Sequence, residues 1–344
     1  MIDDDVTAER LELILGGHVF FQTLRAAIDI DLFTLLARTP GLSLAGLGQA
    51  TGVAEAPLRI LLLGCTALGL IERGDPGYYN GSLGEKLFSR DSSDNIIPTV
   101  EFQHKLVYRP MFHLAESVRE NRNVGLSEFP GLGATLYERL ALQPDLQRVF
   151  HKSLETTSSS NVEQLLANVD FGATRHVVDV GGGNGTALCA LANRYPGLRG
   201  TLVETQSVCE LARERIARAG LTDRLRVCPG DCFQDPFPED ADCFLFMHFL
   251  TIWSGEQNLG VLRKAFAAMA TGGVAIVFDG AQSNDQRGPL RAARWSPYFL
   301  ALSSGQGMFY TADEYAGWMR QAGFMDVRQV FTAPDHAVIT GRRS

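Results

Sequence analysis

The sequence predicts an α/β protein: a mostly parallel, doubly covered sheet whose last strand runs antiparallel, preceded by an all-helical and winged region. Three observations predict it. Residues 170–344 alternate short apolar runs with segments of helical period. The apolar run 176–180 leads straight into the glycine-rich turn Gly181-Gly182-Gly183-Asn184-Gly185. Residues 7–90 carry helix-period segments that end in a short hairpin.

From the N-terminus, Val19, Phe20, Phe21, Leu24, Ala27, Ile28, Leu32 and Phe33 recur at helical spacing. A second helix starts at Leu42–Leu47 with Ser43 as its cap. A third runs from Ala56 to Leu70 and ends around Gly69. Ile71-Glu72-Arg73, the turn Gly74-Asp75-Pro76-Gly77 and Tyr78-Tyr79-Asn80 then read as a hairpin. Three helices and a hairpin make a winged helix–turn–helix. Its recognition-type helix, 56–70, has Arg59 as its sole basic residue, whereas reading DNA needs basic or amide side chains in a groove. That helix therefore packs against its own core or a second copy of the chain. The expected division is a winged-helix dimerisation domain over 1–100, a helical linker over 101–169 and a third region over 170–344.

The linker is dense in aromatic residues. Tyr108, Phe112 and Phe150 read either as helix core or as part of an aromatic pocket beside the next domain. Beyond it, strands are expected at 176–180, 200–204, 225–228, 242–246, 273–278, 326–331 and 336–341. Helices are expected at 186–195, 207–219, 256–270 and 312–322. The last two strands are joined by a short loop around Pro334 and should pair antiparallel.

The glycines at 181, 183 and 185 follow the first of these strands, and Glu204 ends the second. Strand, glycine turn, helix, strand and acid form the half-fold that cradles an adenosine. The dinucleotide pattern G-x-G-x-x-G fails because Thr186 stands at its third glycine. A pyrophosphate would sit on the helix N-terminus. S-adenosylmethionine (SAM) has none, and its amino-acid tail needs the close backbone approach that glycines permit.

Composition narrows the classes. Apolar residues make up 45% and charged residues 20%, as in globular proteins. A net charge of −8 argues against a nucleic-acid groove. The six cysteines contain no C-x-x-C pair, so no metal site is expected, and they read as buried thiols in a reducing compartment. The acidic start Met1-Ile2-Asp3-Asp4-Asp5 is unlike a signal peptide, and no apolar run reaches membrane length. A cytoplasmic location without membrane or nucleic-acid partners is expected.

With these motifs in hand, the chain resembles the SAM-dependent small-molecule O-methyltransferases of the plant caffeate/flavonoid and bacterial secondary-metabolite type. The resemblance spans nearly the whole length. It rests on Asp179–Gly185, on Gly230-Asp231-Cys232-Phe233-Gln234-Asp235-Pro236 and on the segment around Trp253. It implies a class I, Rossmann-like methyltransferase domain behind a winged-helix dimerisation domain, working as a homodimer on a small aromatic acceptor. It also implies that Asp179, Gly181, Gly183 and Gly185 hold the methionine part of SAM. Glu204 would accept both ribose hydroxyls, a task suited to a carboxylate. Asp231 and Phe233 resemble the adenine contacts, Trp253 closes over the ring, and Met247 lies near the sulfonium. The acceptor pocket would draw on Tyr108, Phe112 and Phe150, on Trp295, Tyr298 and Phe299, and on Met308 and Phe309. Arg291 and Arg294 read either as partners for an acceptor carboxylate or as solvated surface.

The chain departs from the family at the catalytic base. The family places a histidine two residues before the tryptophan; here Met247-His248-Phe249-Leu250-Thr251-Ile252-Trp253 puts Thr251 there. Asp279 matches the first of two acids that orient that histidine, and Phe309 stands near the second. His248 lies three residues before the base position, where it reads as a base or as a polar group beside the cofactor. A phenol with pKa near 10 is a poor nucleophile, and general-base help is worth about 10²–10⁴. Three outcomes stay open: methylation of an already acidic hydroxyl by proximity, with oxygen leading on family grounds; methylation of carbon, on an enolised α-keto acid or a phenol ring; or SAM binding with a different reaction.

Overall fold

The computed structural model describes residues 7–239 and 241–344, without the side chains of 157–159. The acidic start of the chain lies outside the described residues.

The chain forms two compact units. One comprises the described residues up to Lys105 together with Lys152–Thr156; the other comprises Leu106–His151 and Thr157–Ser344. In the first, Ser43 caps the helix Leu44–Thr51 through the Gly46 N–H. The helix Glu55–Ala67 stops three residues earlier than its apolar run suggests. Gly69 takes the left-handed conformation (φ 68°), its N–H bonding Thr66 and the Leu70 N–H turning back to Cys65. The hairpin follows as β1 (Ile71–Arg73) and β2 (Tyr78–Asn80), paired antiparallel. Leu58, Leu62 and Cys65 turn inward onto Ile28, Phe33 and Leu36. The outer face of the same helix shows Ile60 (74% exposed) and Leu63 (71%), an apolar surface unsuited to DNA.

The second unit is built on an eight-stranded sheet. Its strands are β3 (His176–Val180), β4 (Arg199–Glu204), β5 (Leu225–Pro229), β6 (Ala241–Met247), β7 (Met269–Gln282), β8 (Tyr310–Thr311), β9 (Met325–Ala333) and β10 (His336–Arg342). The order is β5-β4-β3-β6-β7-β10-β9, with β8 beside the end of β7. Strands β3 to β7 pair parallel, whereas β10 runs antiparallel to both β7 and β9. Val178, Val180, Phe244 and Phe246 fill one face; Val177, Cys243, Leu245, Ile276 and Phe278 fill the other. Near-continuous apolar strands follow from burial on both faces. The chain order reverses between β3 and β6, so a crevice opens at their carboxyl ends, the usual ligand position in such sheets.

Two features differ from the sequence expectation. Strand β7 begins at Met269, because the Gly272–Gly273 turn is drawn into the sheet by paired bonds to the Arg343 backbone (2.8 and 2.9 Å). The two-residue strand β8 was too short to show a period; its Thr311 and Glu314 form the capping box that opens the helix Ala312–Ala322. No single helix among the described residues is long and apolar enough to cross a membrane.

Candidate active site

The glycine loop sits at the end of β3, and all three of its key glycines are left-handed, with φ of 68°, 56° and 78° at 181, 183 and 185. A Cβ at Gly181 would come within 2.3 Å of the Phe249 ring, while one at Gly183 would meet nothing and project into open space. The first glycine thus permits tight packing, and the second leaves room for a ligand to lie on the backbone.

Asp179 is the penultimate residue of β3. It is fully buried, and neither carboxylate oxygen has a hydrogen-bond partner. Burial, reinforced by Glu204, pushes its pKa up to about 7. Glu204 ends β4, accepts the Thr205 N–H and is also pushed up by burial. Two partly desolvated carboxyls with unused acceptor capacity suit a ligand that brings a cationic amine and a pair of hydroxyls. SAM carries both.

Beyond β5, Asp231 accepts the Phe233 N–H (2.8 Å) and donates its own N–H to Asp235 (2.8 Å), which fixes the turn. Lys264 ties down the same loop through the carbonyls of Cys232 and Asp235. Phe233 meets Trp253 edge-on at 4.8 Å and lies near-parallel to Phe249 at 6.3 Å. The three rings form an aromatic box whose Trp253 Nε1 is buried and unpaired, as fits a flat heteroaromatic ligand.

Thr251 and Asp279 are both buried and closed on each other. Asp279 accepts the Thr251 hydroxyl (2.9 Å) and the N–H groups of Leu250 (2.7 Å), Thr251 (3.1 Å) and Gly280 (2.8 Å). Burial still raises its pKa to about 6 against these bonds. Phe309 is buried, with its ring so close over Gly280 that a Cβ there would come within 2.4 Å. The position that would carry the second acid is therefore an apolar lid on the backbone beside Asp279.

His248 follows Met247 at the end of β6 in a left-handed conformation (φ 52°), rare for a residue with a side chain. Its ring stands edge-on to Phe278 at 5.4 Å and to His336 at 5.1 Å, with Nδ1 3.8 Å from Asp279 Oδ1. Nε2 is buried and unpaired. Burial first, then His336 and Arg291, push its pKa down to about 3, so the ring is neutral at physiological pH. His336 contacts Asp335 (3.2 Å), which pairs with Arg291 (2.8 Å).

On the acceptor side, the Tyr137 and Ser303 hydroxyls bond at 2.9 Å, and the buried Tyr298 hydroxyl bonds to both. Burial raises the Tyr137 pKa to about 12 and holds that of Tyr298 well above its ordinary value, so both are neutral. Phe150 lies edge-on to Tyr137 (5.9 Å) and Trp295 to Tyr298 (5.6 Å). Phe299 is buried between Tyr298 (5.2 Å) and Phe309 (6.1 Å). Tyr108 is half-buried, and Met308 is 39% exposed. Phe112 is 79% exposed and touches Tyr108 edge-on at 6.3 Å.

Residues 111–325 match the model of the O-methyltransferase domain, and residues 11–90 match that of the O-methyltransferase dimerisation domain. The chain belongs to the O-methyltransferase family. Among its relatives is the L-tyrosine C(3)-methyltransferase of Streptomyces lavendulae, 36% identical over 92% of this chain and 86% of that protein. The aclacinomycin 10-hydroxylase RdmB of Streptomyces purpurascens is 50% identical, over 32% of this chain and 29% of its own. The apo structure of the SAM-dependent methyltransferase SibL superposes with a TM-score of 0.84 at 38% identity, covering 98% of this chain and 99% of that one.

This family member is an enzyme, and its methyl donor is SAM. Of the residues expected from the sequence, the fold brings Asp179, Gly181, Gly183, Gly185 and Glu204 to one end of the crevice. It joins Phe233 to Trp253 and locks Thr251 onto Asp279. Sequence reasoning missed Phe249, Tyr137, Ser303 and His336. For Phe249 a signal existed: it directly follows His248 at the end of an apolar strand. For Ser303 and His336 there was none, because their partners lie far away in the chain. Among the described residues, no cluster of His, Cys, Asp or Glu could hold a metal ion, and all six cysteines are unpaired.

Proposed function

We propose that this methyltransferase places the methyl group on a ring carbon next to the hydroxyl of a small hydroxyaromatic acceptor. The observation that carries this reading is the closed joint between Thr251 and Asp279. The family's base position holds a hydroxyl already donated to a carboxyl, and that carboxyl is saturated by four donors. The remaining nitrogen base nearby, His248, sits at about 3, roughly seven units below a phenol. It cannot hold a phenol's proton. Attack from the ring makes a smaller demand. The hydroxyl pushes electrons to its neighbouring carbon, and the proton leaves later from a cationic ring, which gives it up to a weak neutral base. The unpaired Nε2 of His248 is such a base. Similarity to a tyrosine C-methyltransferase supports the same reading.

When bound, SAM supplies an electrophilic methyl whose bond to sulfur breaks with the electron pair left on sulfur. The protein would hold it through Asp179 and the glycine loop at the amino-acid tail, Glu204 at the ribose, and Phe233, Phe249, Trp253 and Asp231 around the adenine. Met247, which ends β6, would stand by the sulfonium. Tyr137, Phe150, Trp295, Tyr298, Phe299, Met308 and Tyr108 serve the acceptor. Methylation of oxygen is the second reading; the family match favours it, and it requires an acceptor hydroxyl that is already acidic.

The working form is a homodimer. The first helix, Ala8–Leu15, buries none of its residues, and its Leu11, Leu13, Ile14 and Leu15 stand exposed like Ile60 and Leu63. A second copy covering this surface fits the match to a dimerisation domain. Unpaired cysteines throughout fit the reducing cytoplasm.

The test is incubation with methyl-deuterated SAM and a panel of phenols, with fragmentation of the products. A label on the ring supports the proposal, and a label on oxygen installs the second reading. Absence of label from every phenol, with SAM binding measured independently, would remove both and favour another reaction on this fold, as the hydroxylase relative illustrates.

A further inference from the structure

The helix Leu290–Tyr298 carries two arginines that look equivalent in sequence and are not equivalent in the fold. Arg291, Arg294, Trp295 and Tyr298 are spaced i, i+3, i+4 and i+7, so they share one face. That face is pinned at both ends. Tyr298 is held by the Tyr137 and Ser303 hydroxyls. Arg291 is held by Asp335, whose neighbour His336 touches His248. Arg294 lies between these anchors, with its guanidinium over the Trp295 ring at 5.1 Å. No carboxylate among the described residues pairs with it. Its side chain is exposed, yet enough of the protein surrounds it that desolvation, with Arg291 adding to it, lowers its pKa. Arg291 is neutralised; Arg294 is a cation with an aromatic neighbour, no counter-ion and five donors to offer.

We infer that Arg294 anchors the carboxylate of the acceptor, so that the acceptor is a hydroxyaryl acid or amino acid rather than an uncharged phenol. A guanidinium meets a carboxylate through two parallel N–H bonds, and the Trp295 ring 5.1 Å away restrains the fork before the acceptor arrives. One free guanidinium balances one carboxylate charge, which suits this group better than a doubly charged phosphate. The anchor sits on the same helix face as the aromatic wall, so the acceptor ring is held against Tyr298 and Trp295 while its charged end is fixed. This inference rests on the aromatic-acceptor reading above and adds the acceptor's charged group to it.

The experiment is calorimetric titration of the S-adenosylhomocysteine-loaded protein with matched pairs: L-tyrosine against tyramine, and 3-hydroxybenzoate against phenol. The expected result is at least tenfold tighter binding of a carboxylate-bearing member than of its counterpart. Arg294→Gln should erase that preference and Arg294→Lys should keep part of it, both with unchanged affinity for S-adenosylhomocysteine. Equal binding within each pair, a preference that survives Arg294→Gln, or no binding of either acid overturns the inference. Because binding is read without turnover, it stands apart from the choice of methylated atom. A label found on oxygen would change the reaction and leave the anchor intact. A ring label with no carboxylate preference would do the reverse.

Discussion

Replacing Asp179 with asparagine should stabilise the ligand-free protein while disabling it. The carboxyl is buried with both oxygens unpaired, and its pKa moves from 3.8 to about 7. The folded chain therefore holds this proton more tightly than the unfolded chain. Below pH of about 4 both states are protonated and the group costs nothing. Stability then falls as pH rises through the window from about 4 to about 7, and above it the full cost is present. At about 1.4 kcal/mol per unit, the three-unit shift amounts to about 4 kcal/mol. The amide of the variant carries no charge and lacks this pH dependence. The stability of Asp179→Asn relative to wild type should grow by up to about 4 kcal/mol between pH 4 and pH 8, visible as several degrees in Tm. Thermal melts at both pH values, with and without S-adenosylhomocysteine, make the measurement. The wild type should recover stability on binding, since the ligand's ammonium gives the carboxylate a partner, and the variant should bind at least tenfold more weakly. A variant that is less stable at pH 8 than at pH 4, relative to wild type, would refute the reasoning. So would one that binds the ligand normally.

Three further outcomes follow from particular contacts. Gly183→Ala meets no atom but forces a side chain to φ 56°, at a cost of about 1–2 kcal/mol. It should fold and lose cofactor affinity, which equilibrium dialysis would show. Thr251→Val removes one of the four donors to buried Asp279, and should cost about 1–3 kcal/mol in urea unfolding without changing where the methyl is placed. Loss of turnover at full stability would instead make the Thr251 hydroxyl a reacting group. Ile60→Asp with Leu63→Asp puts charges on the exposed apolar face of the Glu55–Ala67 helix, and sedimentation should then report a monomer.

Much of the molecule is legible in residue order. The hairpin Ile71–Asn80, the parallel strands and the left-handed glycines follow from alternation, turn chemistry and φ requirements. Each of these acts over a few residues, so a window of sequence contains the whole cause. Glu204 at a strand end and Thr251 at the base position are legible for the same reason. Whether a side chain is paired or left bare is a different kind of fact. Asp179 is unpaired because the sheet seals it from water and no neighbouring strand offers a donor. The Thr251 hydroxyl is engaged because the end of β7 delivers Asp279 to it from 28 residues away. His248 is neutral because the packed end of the sheet desolvates it and β10 adds His336 against its ring, and Arg291 differs from Arg294 because it alone pairs with Asp335. Sequence by itself determined most of the strands and helices, the left-handed glycine loop and the absence of a histidine two residues before Trp253. Tertiary packing decided which charges are neutralised, because desolvation and counter-ions come from residues that are distant in the chain and adjacent in space.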